Sequence, residues 1–386
     1  MMHSSRGNQI FSVNSFSGSI FRNCLSLFLL LCIGCGGLAV SVDAPSATQA
    51  EPHLPLGIAW TYNARAGFGP DAPQIFDNSV MVATRQGIVH FIDVVTGKRG
   101  GNKRFGDAIN GSPAVIGNTL IVPLAGGRTA LAAYDLDRAD MRWRLRGDPI
   151  QVGVTALESG GIYVNTAGEV RRFEIDDGAV VWTHQIEGRA RVHASPLVHH
   201  QLVIVVIDNG TVLALSLNDG SQLWSVDVGS PIYVAPEIYG EILLVSTTRG
   251  SLFAMDVQKG EIHWNTTLAD ETVQISSPTA DHELVVAGAS DGVLRVFDLD
   301  TGEIKWSAQC SDALAARPLI TSEVIYTGSM GNWFYAFDRH NGDLLQQIEL
   351  RGRVKSAMAL AEGGLIILTE PRYVVRLTPL NTDVHL

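Results

Sequence analysis

One nine-residue phrase recurs along this chain and ends at Trp143, Trp182, Trp224, Trp264 and Trp306, at intervals of 39, 42, 40 and 42 residues. Its clearest copy is Asp298-Leu299-Asp300-Thr301-Gly302-Glu303-Ile304-Lys305-Trp306, a glycine turn followed by alternating apolar and polar residues. A period of about 40 residues with this patterning describes a small antiparallel sheet. Such a sheet cannot bury both faces alone and must pack between copies of itself.

The register extends beyond the five tryptophans. Asp93-Val94-Val95-Thr96-Gly97 has Gly101 in the Trp slot, and Asp338-Arg339-His340-Asn341-Gly342 has Gln346 there. A second glycine turn lies upstream in most copies, at Gly87, Gly168, Gly210, Gly250 and Gly292. A third follows a proline, as in Pro113 to Gly117-Asn118, Pro196 to His199-His200 and Pro236 to Tyr239-Gly240. Three turns separate four strands, which is one blade of a propeller. Seven phrases account for 70–348. Residues 355–379 supply three further strands, and Ile58-Ala59-Trp60 matches the missing fourth. The sequence therefore predicts an all-β, eight-bladed propeller over 56–380, its last blade completed by the N-terminal strand, with 381–386 as a tail. Trp60, Trp143, Trp182, Trp224, Trp264 and Trp306 are predicted to be structural, packing between blades with the indole N–H bonded to backbone.

Upstream of the repeats, residues 1–35 carry Arg6 and Arg22, no acidic residue, and the apolar run Leu25–Ile33 ahead of Gly34-Cys35. Nine apolar residues fall well short of the roughly 20 that a membrane-spanning helix needs and suit a secretory leader. Ile33-Gly34-Cys35 resembles the end of a bacterial lipobox, which makes Cys35 the expected lipid attachment point, with ordinary cleavage or an uncleaved anchor as the alternatives. Residues 36–55, with Pro45, Pro52 and Pro55 among small polar residues, read as a flexible tether. The expected location is extracytoplasmic, lipid-anchored on the periplasmic face of the outer membrane. Soluble secretion and an inner-membrane anchor are the alternatives. A net charge of −11 without a basic run argues against nucleic acid as a partner. Of the four cysteines only Cys310 lies in the repeats, so no disulfide within them is available.

The phrase Ala-x-Asp-x-x-Thr-Gly-x-x-x-Trp, seen in Ala254–Trp264 with Lys259 in the Thr slot and in Val296–Trp306 with Val296 in the Ala slot, resembles the repeat of the pyrroloquinoline-quinone (PQQ) propeller superfamily. That resemblance implies one of two activities: a quinoprotein dehydrogenase, or a BamB-like lipoprotein that assists assembly of outer-membrane β-barrels. The enzyme branch resembles a larger protein holding its quinone against a vicinal Cys-Cys disulfide and a calcium ion. No Cys-Cys pair exists here, and no acidic cluster suggests the six to eight oxygen ligands of calcium. The aspartates of the repeat are accounted for by turn hydrogen bonds. No catalytic, cofactor-binding or metal-binding residue is assigned. His199-His200 occupies a position held by turn residues in other blades and is read as a turn.

The expected function is accordingly a non-enzymatic scaffold, with a barrel-assembly subunit of the BamA kind as partner and no small-molecule substrate. A diverged propeller that binds another protein or a glycan is the second reading. In the BamB-like branch the resemblance implies a partner loop with a Leu-x-Leu-Arg run before a proline. The loop in register is Gly188-Arg189-Ala190-Arg191-Val192-His193-Ala194-Ser195-Pro196, which keeps Arg191 but has Gly188 and Ala190 in place of the leucines. Arg189 and Arg191 are the candidate partner contacts, since a guanidinium fork pairs well with carboxylates and carbonyls. A family pair of aspartates before the next blade is replaced by Ser230-Pro231-Ile232-Tyr233.

Overall fold

The period-2 alternation of the repeats forms strands throughout. A computed structural model describes residues 50–69, 71–76, 78–188 and 191–380, and every regular element within them is a strand in an antiparallel sheet. Seven four-stranded sheets use consecutive strands over 74–104, 114–146, 155–185, 197–227, 237–267, 279–309 and 319–349. We number these blades 1 to 7. Blade 8 takes Arg353–Val354, Ala359–Ala361, Gly364–Glu370 and Tyr373–Pro379 from the end of the chain, and Leu56–Asn63 from its start. Leu56 lies opposite Pro379, Trp60 opposite Arg376 and Asn63 opposite Tyr373. The predicted eight-bladed propeller and its closing strand are thus both observed.

The recurrent phrase is explained by one contact made between blades. Each tryptophan sits on the outer strand of one blade, opposite a residue of the third strand that is alanine in blades 2, 4 and 5 and leaves room for the indole. Its indole N–H reaches a backbone carbonyl of the next blade. Trp60 donates to Val94 (2.9 Å), Trp143 to Ile175 (2.8 Å), Trp182 to Leu217 (2.9 Å), Trp264 to Leu299 (2.9 Å) and Trp306 to Arg339 (3.0 Å). Trp224 differs, its buried indole nitrogen having no partner.

The ring lies under the phrase glycine of the following blade. A Cβ added to Gly220 would sit 2.5 Å from Trp182, and one on Gly302 would sit 2.4 Å from Trp264. Both glycines also have positive φ, at 71° and 72°. The exception shows which constraint dominates. Blade 1 has Gly101 in the Trp slot, and the covering turn of blade 2 has Ala139 at φ 58°. Alanine is tolerated in the left-handed region where no indole lies beneath it. The aspartates at the head of the phrase close their own turns: Asp93 accepts from the Thr96 N–H (2.7 Å), Asp298 from that of Thr301 (3.0 Å) and Asp338 from that of His340 (2.8 Å).

Where the tryptophan is missing from blade 7, another group makes the stitch. Gln346 Oε1 accepts from the Leu56 N–H and its Nε2 donates to the Leu56 carbonyl, both at 2.8 Å. The side-chain amide thereby ties blade 7 to the closing strand. Residues just upstream also dock there. Glu51, in the stretch assigned by composition to the tether, accepts from the Ser322 N–H (3.0 Å) and hydroxyl (2.6 Å), Pro52 is buried, and Leu54 packs on the core between blades 7 and 8. The leader, residues 36–49, the tail and Cys35 lie outside the described residues. Cys310 is buried, and burial pushes its thiol up to about 12, which makes it an inert core residue.

The seam between blades 8 and 1 contains a titratable switch of stability. His90 is buried on Ile88–Asp93, its Nδ1 3.0 Å from the Tyr62 hydroxyl and its Nε2 without a partner. Burial, helped by Arg99 and Arg65, lowers its pKa from 6.5 to about 4. The folded pKa is below the unfolded one, so this contribution is present above pH 6.5 and is lost as pH falls toward 4, where the unfolded chain takes up the proton first. Between pH 7 and 5 the loss is about 2 kcal/mol. His90→Gln is therefore expected to flatten the fall in melting temperature over that interval, and parallel pH profiles for the two proteins would refute the assignment.

Candidate interaction surface

Antiparallel alternation gives the ring two different faces. In blades 1 to 7 the turn after the first strand and the turn after the third strand lie on one face. The turn between second and third strands, with the loop that passes to the next blade, lies on the other. The loop carrying Arg191 belongs to this second face. Its position is set by backbone rather than by its side chain. The Arg191 N–H donates to Asp208 Oδ1 (3.0 Å) while its carbonyl accepts the Asp208 N–H (2.9 Å), pinning the loop to a turn of blade 4. The guanidinium is left exposed. Arg189, the other candidate contact, lies outside the described residues.

The pinned loop forms one wall of a cleft of about 490 Å³ between blades 3 and 4. Val152, Val164 and Val192 give it an apolar floor, and Asn165, Arg191 and His193 a polar rim. His193 extends the surface toward the ring centre. Its ring meets that of Tyr233 at 4.8 Å between centroids and 56° between planes, with Asp208 3.9 Å away on the other side. Tyr233 is 51% exposed although it is held in an aromatic pair. In sequence, Ser230–Tyr233 is a departure from the family pattern; in the structure, Tyr233 comes beside the Arg191 loop from the following blade. An exposed Tyr and Arg bordering an apolar cleft have the composition of a protein-binding hot spot.

The mouth leads into the central channel, lined by Asp71, His193, Tyr233, Ser277, Arg317 and Lys355 among smaller residues. Asp71 accepts the Ser112 N–H at 2.7 Å, and its carboxyl is raised above the usual range by burial. Arg317 pairs with Glu237 (3.0 Å) and donates to the Pro236 carbonyl (2.8 Å). Burial raises Glu237 as well, against the lowering by Arg317. A calcium-bound quinone does not fit this donor set. Asp71 is the one carboxylate among the described lining residues, it lies in the field of Arg317, and calcium requires six to eight oxygens. At about 200 Å³ the channel cavity is also below the usual 300–1,000 Å³ of a small-molecule site.

Fold and repeat together define an eight-bladed propeller of the PQQ-repeat class. Within it, the family model described as "Outer membrane protein assembly factor BamB" matches residues 57–207, 149–272 and 208–362, and the chain belongs to that family. Among solved structures the chain resembles BamB from Moraxella catarrhalis, with TM-score 0.71 and 18% identity over 84% of this chain and 99% of that one. The computationally designed protein Ika8 gives 0.69 and 16% over 85% and 98%. The quinohemoprotein alcohol dehydrogenase ADHIIG from Pseudomonas putida HK5 gives 0.68 and 13% over 84% and 76%. At these identities the likenesses establish the fold alone. No curated protein sequence matches the chain.

Proposed function

We propose that this protein is a non-enzymatic extracytoplasmic scaffold that assists the assembly of outer-membrane β-barrel proteins. The observation that carries this reading is the family match, which runs from residue 57 to 362 and so takes in nearly the whole ring. The leader supports an exported protein, and lipidation at Cys35 would hold it to the periplasmic face of the outer membrane. Its partner is a barrel-assembly subunit of the BamA kind, received on the face that carries Arg191 and Tyr233, with Arg189 as a further candidate contact. The cleft between blades 3 and 4 supports this placement by combining an apolar floor with the exposed Arg191, while the exposed Tyr233 stands beside it against His193. The six blade tryptophans have a structural role in this reading and do not touch the partner.

Affinity purification from detergent-solubilised envelopes tests the surface. Arg189→Ala with Arg191→Ala is expected to leave the melting curve unchanged and to reduce recovery of the barrel-assembly subunit roughly tenfold, as for loss of one or two interface anchors. Equal recovery with the variant would remove these arginines from the interface.

A further inference from the structure

On the opposite face, the turn between first and second strands takes a left-handed residue at Gly117 in blade 2 (φ 57°) and at Gly240 in blade 5 (φ 56°), and a left-handed non-glycine at His200 in blade 4 (φ 51°) and at Glu362 in blade 8 (φ 44°). Histidine there is strained relative to glycine, and such an outlier directs attention to what its side chain reaches. Successive residues of a strand point to opposite sides. The left-handed backbone at His200 instead brings its ring against that of His199, with centroids 4.2 Å apart and planes at 64°.

Both rings address a single atom. His199 Nε2 lies 3.3 Å and His200 Nε2 3.5 Å from Oε1 of Glu241, which comes from the equivalent turn of the next blade. The second carboxylate oxygen is held by Gln258 Nε2 at 3.2 Å. The three candidate ligand atoms lie within 4.8 Å of one another. The two imidazole–carboxylate separations exceed the 2.7–2.9 Å of a good charge-assisted hydrogen bond. They match the edge of a tetrahedron with metal-ligand bonds of 2.0–2.1 Å, which is about 3.3–3.4 Å, while the two imidazole nitrogens are free to close in on an ion. Two imidazoles and a carboxylate suit a borderline divalent ion such as zinc, and Gln258 provides the outer contact that orients the carboxylate.

We propose that His199, His200 and Glu241 form a zinc site that joins blade 4 to blade 5, with the fourth tetrahedral position open to water. The site lies on the face away from the Arg191 loop and does not depend on the proposed function. Because its ligands come from two blades, metal bound there stabilises the folded ring by linkage.

Titration calorimetry of the full chain with zinc chloride alone tests the site, comparing wild type with His200→Gly and with Glu241→Ala. His200→Gly installs the residue that blades 2 and 5 already use, so it is expected to fold at least as well as wild type in the absence of metal. Each variant is expected to bind one equivalent of zinc fewer than wild type, and to lose the zinc-dependent rise in melting temperature. Wild-type stoichiometry and an undiminished thermal shift in His200→Gly would overturn the proposal, as would a wild type whose melting temperature zinc does not raise.

Discussion

Deletion of Leu56–Asn63 is expected to abolish the cooperative thermal transition and to produce soluble aggregates at micromolar concentration. The strand contributes Leu56 to the core between blades 7 and 8 and Trp60 and Tyr62 to the core between blades 8 and 1. Three side-chain stitches go with it: Gln346 to Leu56, Trp60 to Val94 and Tyr62 to His90. Burial of one leucine and one tryptophan alone is worth about 5 kcal/mol, comparable with the net stability of a typical domain. The deletion also uncovers the edge of Tyr373–Pro379, whose free N–H and C=O groups can pair with another chain. A permuted chain separates loss of the strand from loss of connectivity. The Leu380 N–H already donates to the Pro55 carbonyl (2.8 Å), so a short turn can join 380 to 55 and new termini can open after Asn63. That permutant is expected to melt cooperatively close to wild type, measured by circular dichroism. A cooperative, unshifted transition in the deletion would show that the ring does not need this strand.

The second large effect concerns the contact that the repeat encodes. Trp182→Ala is expected to lower stability by about 3–5 kcal/mol, which corresponds to a fall in melting temperature on the order of 10 °C. Gly220→Ala is expected to cost more than the 1–2 kcal/mol of a left-handed alanine, because its Cβ would stand 2.5 Å from the Trp182 ring. The two changes share one space. Combined, they should cost clearly less than their sum, since the smaller residue at 182 admits the new Cβ. The natural pairing of Gly101 with Ala139 already has this form. Strict additivity in a double-mutant cycle read by chemical denaturation would contradict the steric account.

The architecture was legible because its determinants are local and repeated. A glycine turn, an alternating strand and a tryptophan recur at fixed offsets, and the shortage of one strand at the end of the chain was matched by a surplus at the start. The degenerate slots were harder. Gln346 looked like a lost tryptophan, yet it bonds a backbone 290 residues away that no neighbouring sequence reveals. The surface was less legible for the same reason. Arg191 could be placed in a loop by register, but Tyr233 approaches His193 from another blade, about one repeat along the chain. Of His199-His200, expected in a turn, only His200 lies there and His199 ends the strand Leu197–His199, and the meeting of both rings on Glu241 depends on the handedness of one backbone angle and on the next blade's position. Features repeated from blade to blade, the interblade tryptophan contact included, can be read from the repeat, and contacts peculiar to one pair of blades appear only once the ring is closed.

The proposed role in barrel assembly is tested most directly by purifying the tagged, full-length chain from detergent-solubilised envelopes of its native host and identifying what accompanies it by mass spectrometry. A barrel-assembly subunit enriched with wild type, and depleted when Arg189 and Arg191 are replaced by alanine, is the expected result. Envelopes in which that subunit is abundant but never enriched with the wild-type chain would contradict it.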